Sequence, residues 1–312
     1  MSLSAGLQTA IISLFLIIYI SGCILFGILF RGKTYVFKSD DLQELGPRDL
    51  LKSWMGILYY FLVMFIIASI LSTILVVTWA NSHNVDLQNL LANEEEPYIT
   101  LYNEMNVELN PLLEIIVYSV SIIGVVLFAF KYLKEDIKKF KPTTLMWAGI
   151  GVGFVYGANI ISQVILIVCG INEQSANQQA IEQMTSSGTT SLILMCITTI
   201  LMAPILEELV FRKFFFNIFK KSPKLGLIFS SLIFGLIHVI SAMTIELRGI
   251  IDGSGSFLLL LKATIQIIPY SLMGAALGMT YLCSRKNICA SILTHMSINL
   301  ISMVMVIITS LK

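Results

Sequence analysis

Charge is what this chain lacks most. Only 12% of its 312 residues are charged, about half the roughly 25% of a soluble domain. Hydrophobic residues reach 56% and the mean hydropathy is +0.86. A soluble protein of this length needs far more polar surface to cover its cores, so the composition excludes one and indicates an integral membrane protein. Neither sign of charge is in excess, with 20 Lys and Arg against 19 Asp and Glu and a net charge of +1, so nothing points to nucleic acid. The five cysteines, Cys23, Cys169, Cys196, Cys283 and Cys289, are odd in number, and none forms a CxxC pair. That excludes a secreted disulfide framework, and they read as small membrane-buried hydrophobes.

What is present is a series of long apolar runs. Crossing a hydrocarbon core of about 30 Å takes about 20 helical residues. Runs of that kind span approximately Leu7 to Phe30, Met55 to Ala80, Leu112 to Phe130, Met146 to Ile171, Ser191 to Phe219, Leu225 to Met243, Phe257 to Cys283 and Ile288 to Leu311. The expected fold is an all-α, polytopic transmembrane bundle of about eight spans with no soluble domain. The first run lacks a basic flank and is too long for a signal-peptide core, so it is taken as a retained span.

Lys and Arg alternate between the connections. The first loop holds Arg31, Lys33, Lys38, Arg48 and Lys52, and the third holds Lys134, Lys138, Lys139 and Lys141. The fifth holds Lys220, Lys221 and Lys224, and the seventh Arg285 and Lys286. The second and fourth loops have neither residue, and the sixth has only Arg248. The positive-inside rule then places the odd loops in the cytoplasm and both termini outside a cell membrane. The acidic second loop, with Glu94, Glu95 and Glu96, fits either a short surface helix or a solvated linker. There is no inverted repeat of the kind found in many secondary transporters.

The first, second, fourth, sixth and eighth spans contain no Asp, Glu, Lys or Arg. Glu114, Lys131 and Lys262 lie near expected span ends, where a side chain can snorkel to the interface. Glu207, Glu208 and Arg212 are different, because they sit deep in the apolar stretch Leu192 to Phe219. Two of the three histidines, His238 and His295, also lie inside spans. A charged residue at a helix centre costs about 2.5–3.5 kcal/mol on insertion scales, so such groups are retained for structure or for function.

Helix geometry brings these groups together. Glu207 precedes Lys220 by 13 residues and His238 follows Lys224 by 14, so both lie about 20 Å from the turn between their spans. Asn299 follows Lys286 by 13 residues, and His295 lies one turn nearer the basic end on the same face. Glu208 and Arg212 are spaced i and i+4 with the acid first, the better orientation for a helical ion pair. Glu207 points about 100° away and has no local partner, so it is free to act as a general base or acid. Pro204 removes a backbone hydrogen bond nearby and can kink the helix.

Three short patterns in these spans resemble the CPBP family of intramembrane proteases, which includes type II CAAX prenyl endopeptidases and bacterial Abi proteins of bacteriocin processing and immunity. Glu207-Glu208-Leu209-Val210-Phe211-Arg212 fits EExxxR, Phe234-Gly235-Leu236-Ile237-His238 fits FxxxH, and His295-Met296-Ser297-Ile298-Asn299 fits HxxxN. The resemblance covers roughly Ser191 to Ile301. It divides the chain into four N-terminal spans of unassigned role, residues 1–190, and a protease-like core, residues 191–312. Lys213 stands where many relatives have glycine.

The resemblance implies that Glu207 activates a water, assisted by His238, and that His295 and Asn299 stabilise the oxyanion. Glu208 and Arg212 would be supporting residues, and Phe234 would wall the site. A metal-free glutamate mechanism is favoured. Zinc held by Glu207, His238 and His295 is the alternative, although no HExxH pair is present. The expected activity is endopeptidase cleavage of a peptide or membrane-anchored protein within the bilayer, through a funnel opening toward the cytoplasm.

Two other readings compete. A non-catalytic scaffold would bind a membrane protein partner, such as a sensor kinase or envelope enzyme, and Gly274 and Gly278 offer a close-packing face that serves either a partner or the chain's own bundle. A proton-coupled transporter also uses intramembrane Glu and His, but lacks support from repeats. Gly149, Gly151 and Gly153 are not a dinucleotide fingerprint, since no strand precedes them.

Overall fold

The computed structural model describes residues 46–92, 97–171, 174–186 and 188–310, and every regular element among them is a helix. We number these α1 (Pro47–Ser82), α2 (Leu87–Ala92), α3 (Tyr98–Lys138), α4 (Pro142–Val168), α5 (Ala176–Ser186) and α6 (Thr189–Ile218). They continue with α7 (Pro223–Ile251), α8 (Phe257–Ile265), α9 (Ile267–Cys283) and α10 (Ile288–Ser310). Seven stretches are long and apolar enough to cross a membrane, with α8 and α9 together forming one of them. The protein is a multi-pass membrane protein. The expected span Leu7 to Phe30 lies outside the described residues, so the other seven expected spans are all found.

The helices overrun the apolar runs. The expected Leu112 to Phe130 becomes α3, 41 residues from Tyr98 to Lys138. Hydropathy marks only the hydrocarbon slab, whereas backbone hydrogen bonding continues the helix through polar residues on either side. The break between α8 and α9 at Gln266 has a local cause: Pro269 has no N–H to offer the Ile265 carbonyl one turn back.

The packing suits lipid. Large apolar side chains such as Leu127, Val168 and Ile251 point outward, while one main core gathers Tyr60, Phe211, Phe214, Phe216, Phe234 and Tyr281, drawn from α1, α6, α7 and α9. Polar groups tie the two halves of the chain inside this bundle. The Lys213 ammonium donates to Asp136 Oδ2 at 2.7 Å, and the same carboxylate oxygen accepts Ile288 N–H at 3.1 Å. Asn287 donates to the Asp136 carbonyl at 3.0 Å, Asn217 to Ser53 at 3.1 Å and Thr294 to the Ala148 carbonyl at 3.0 Å. Lys213, which departs from the family pattern, therefore serves as a buried cross-link between α6 and α3.

Glycines allow two close approaches. A Cβ on Gly151 would come 2.5 Å from the hydroxyls of both Thr280 and Thr294, so α4 seats against α9 and α10 only without a side chain there. Gly278 meets Leu227 and Gly274 meets Ser231 and Phe234. The small-residue face of α9 thus packs against α7 of the same chain.

The bundle has two unlike ends. Lys134, Lys138, Lys139, Lys141, Lys220, Lys221, Lys224, Arg285 and Lys286 lie at one end, where α3 meets α4, α6 meets α7 and α9 meets α10. The opposite end holds α2, α5 and the α7–α8 turn, and carries Asp86, Glu104, Glu108, Glu182, Glu246 and Asp252 against Arg248 and Lys262.

Candidate active site

The two glutamates sit on a short α-helical segment of α6, Ala203–Glu208, flanked by π-helical turns at Ile197–Met202 and Leu209–Phe214. Single π turns inside α-helices mark functional sites often enough to make this the place to look. The first has a consequence readable atom by atom. Ala203 N–H bonds to the Thr198 carbonyl, five residues back, instead of to that of Thr199. The next residue, Pro204, has no N–H, so the Thr199 carbonyl is left without a backbone partner. Asn299 of α10 supplies one, its Nδ2 donating to Thr199 O at 2.7 Å. Pro204 thus acts with the π turn to fasten the third motif to the first.

The Glu208 carboxylate holds two partners. Arg212 Nε lies 3.1 Å from Oε2, an ion-pair contact without hydrogen-bond alignment, and both side chains are fully buried. His295 Nδ1 lies 3.1 Å from Oε1. The remaining guanidinium nitrogens of Arg212 have no hydrogen-bond partner among the described residues. The guanidinium carbon lies 5.2 Å from the centre of the Phe234 ring, within cation–π range. The spacing-based ion pair is therefore found, and Phe234 lies between Arg212 and the histidines, its ring 4.6 Å from that of His238 and 6.1 Å from that of His295.

Glu207 is left differently. Its Oε2 is buried, lies 4.0 Å from His295 Nε2 and makes no hydrogen bond among the described residues. Glu208 Oε2 also lacks a hydrogen bond but is held in the ion pair with Arg212, so Glu207 is the carboxylate of the pair that faces the cavity. His238 does not bond to it directly. Its Nδ1 is 2.7 Å from the Phe234 carbonyl, and because a carbonyl only accepts, Nδ1 carries the proton. In the neutral ring Nε2 is then a bare acceptor. Tyr270 of α9 stacks on the other side of His238 at 4.6 Å and 16°, and its hydroxyl lies 2.7 Å from Ser175 Oγ. Tyr270 was missed from sequence; its place beside Pro269 at the start of α9 is the only signal it offers.

Glu207, His238, His295 and Asn299 all line one cavity of about 630 Å³, together with Glu114, Tyr118, Asn159, Gln163 and Tyr270. The one-layer convergence expected from helix geometry is thus present. Glu114 lies in α3, which starts at Tyr98, and faces the cavity. The cavity reaches away from the basic turns. It continues past Thr199 and Ser302 to Leu166, Ile171, Gln174 and Gln178, at the end poor in Lys and Arg. Toward the basic end, Phe211, Phe214, Phe216 and Tyr281, all fully buried, fill the bundle.

The same geometry tests a metal. Among the described residues no three His, Cys, Asp or Glu side chains are gathered to hold an ion, and Glu207, His238 and His295 are no exception.

Residues 189–301 match the family described as Type II CAAX prenyl endopeptidase Rce1-like. This region is similar to that family. It begins at the first residue of α6 and runs through α10, so it carries all three motifs and agrees with the CPBP resemblance. An uncharacterized protein of Mycoplasma capricolum subsp. capricolum is 28% identical over 218 residues, which cover 66% of this chain and 59% of that protein. The chain thus spans about 59% of the length of that relative. No solved structure matches. The match supports a CAAX-type intramembrane protease fold for this region. Its cavity wall also takes Glu114, Tyr118, Asn159 and Gln163 from α3 and α4, which precede the matched region.

Proposed function

We propose that the protein is an intramembrane endopeptidase that hydrolyses a peptide bond in a membrane-associated peptide or protein without a metal. The observation that carries this is the common cavity of Glu207, His238, His295 and Asn299 inside an apolar bundle. A water held between Glu207 and the bare Nε2 of His238 attacks the scissile carbonyl, and Glu207 takes its proton. The oxyanion that forms is met by the second N–H of Asn299, whose first is occupied by Thr199, and by His295 acting from Nε2 in its doubly protonated form. Collapse breaks the C–N bond, and Glu207 returns the proton to the departing amine. Glu208 and Arg212 position His295, and Phe234 packs against both rings.

With the orientation given by the positive-inside rule, the cavity opens on the outer face of the membrane. The substrate then enters from the outer leaflet or the external aqueous phase. The test is cleavage of a library of apolar peptides by the purified full chain in lipid nanodiscs, read by mass spectrometry. Products are expected from the wild type and none from Glu207→Gln. Equal products from both variants would overturn the proposal.

A further inference from the structure

The cavity contains a second carboxylate that the proposed chemistry does not use. Glu114 projects from α3 into the space that also holds Glu207, one turn before Tyr118. It forms no hydrogen bond or ion pair with any described residue. The α3 residues from Tyr98 to Phe130 contain no Lys, Arg or His. An ionisable group in a transmembrane segment is costly and calls for a partner. Among the cavity-lining residues there is no Lys or Arg. Besides the two acids and two histidines, the polar wall is made of hydroxyls and of neutral amides such as Asn159, Gln163 and Gln266. At the mouth, Gln174 and Gln178 both donate to Glu182, at 3.3 and 3.1 Å.

We propose that Glu114 is a cation-binding subsite of this cavity, which selects peptides presenting a Lys or Arg side chain near the scissile bond. This rests on the endopeptidase reading for its meaning, but not for its test. A cationic side chain supplies the partner that Glu114 lacks inside the protein, and its long apolar stem lies against the bundle wall while its head reaches the carboxylate. A peptide with an acid at that position meets Glu114 and Glu207 together and is repelled.

The test uses the full chain in nanodiscs and three fluorescent peptides with one apolar core, carrying Lys, Gln or Glu at the same flanking position. Binding is measured with Glu207→Gln as background, so that turnover does not intrude. The Lys peptide should bind about tenfold or more tighter than the Glu peptide, the equivalent of one charge-assisted hydrogen bond. Adding Glu114→Gln should remove the preference, and Glu114→Lys should reverse it. Glu114→Gln is isosteric, so it carries the test if Glu114→Lys does not fold. Equal affinity for the three peptides, no binding at all, or a Lys preference that survives Glu114→Gln would overturn the proposal. Charge-selective binding that needs Glu114 but is never followed by cleavage would leave the subsite and remove the endopeptidase reading. Glu207-dependent cleavage that ignores peptide charge would do the reverse.

Discussion

Removing the Asp136 carboxylate should be among the most damaging single changes to stability. Asp136 Oδ2 accepts from Lys213 Nζ at 2.7 Å and from Ile288 N–H at 3.1 Å, with both charged side chains about nine-tenths buried. Asp136→Ala strands an ammonium between the Tyr132 and Tyr281 rings, each 5.9 Å from it, and leaves a buried N–H at the start of α10 unpaired. Breaking a buried pair by removing one partner costs about 3–5 kcal/mol, and an orphaned buried donor adds about 1–3 kcal/mol. These overlap, so the expected loss is about 4 kcal/mol. Replacing both partners with apolar residues, Asp136→Leu with Lys213→Met, removes the stranded charge and should recover most of that loss. Thermal and denaturant unfolding in one detergent, run as a double-mutant cycle, measures both. A single variant within about 1 kcal/mol of wild type, or a double variant less stable than Asp136→Ala, would refute the reasoning.

Three further outcomes follow from the same contacts. Gly235→Ala drives a Cβ into Ser271 Oγ and puts it 2.8 Å from the Ile267 carbonyl; it should push α9 from α7, cost about 1–3 kcal/mol and loosen Tyr270 from His238, as unfolding and activity together would register. Asn299→Ala deletes an oxyanion donor and leaves the Thr199 carbonyl open, so kcat should fall about a hundredfold to a thousandfold with KM changed far less, in peptide-cleavage kinetics. Activity should be indifferent to a strong chelator, and inactivation reversed by added zinc would contradict the metal-free proposal.

The clustered residues were legible because charge is so scarce. Glu207, Glu208, Arg212, His238 and His295 stand out in runs whose only other charged residue is Lys213, and counting residues from the basic turns puts them in one layer. Other features depend on contacts that spacing does not encode. Lys213 and Asp136 are 77 residues apart in sequence, and nothing local to either indicates a pair. The π turns of α6 are likewise invisible to hydropathy, although Pro204 marks the place where one of them matters. That Glu114 of α3 faces the cavity is set by helix packing, which hydropathy does not report. The direction of the cavity was also hidden: depth along a helix says how far a group lies from each end, but not which end is plugged by Phe211, Phe214 and Phe216.

The most direct test of proteolysis at Glu207 is comparative membrane proteomics of cells making the wild-type chain or Glu207→Gln at equal levels. The account predicts at least one peptide fragment that is present with the wild type and absent with the variant. Indistinguishable peptide profiles would contradict it.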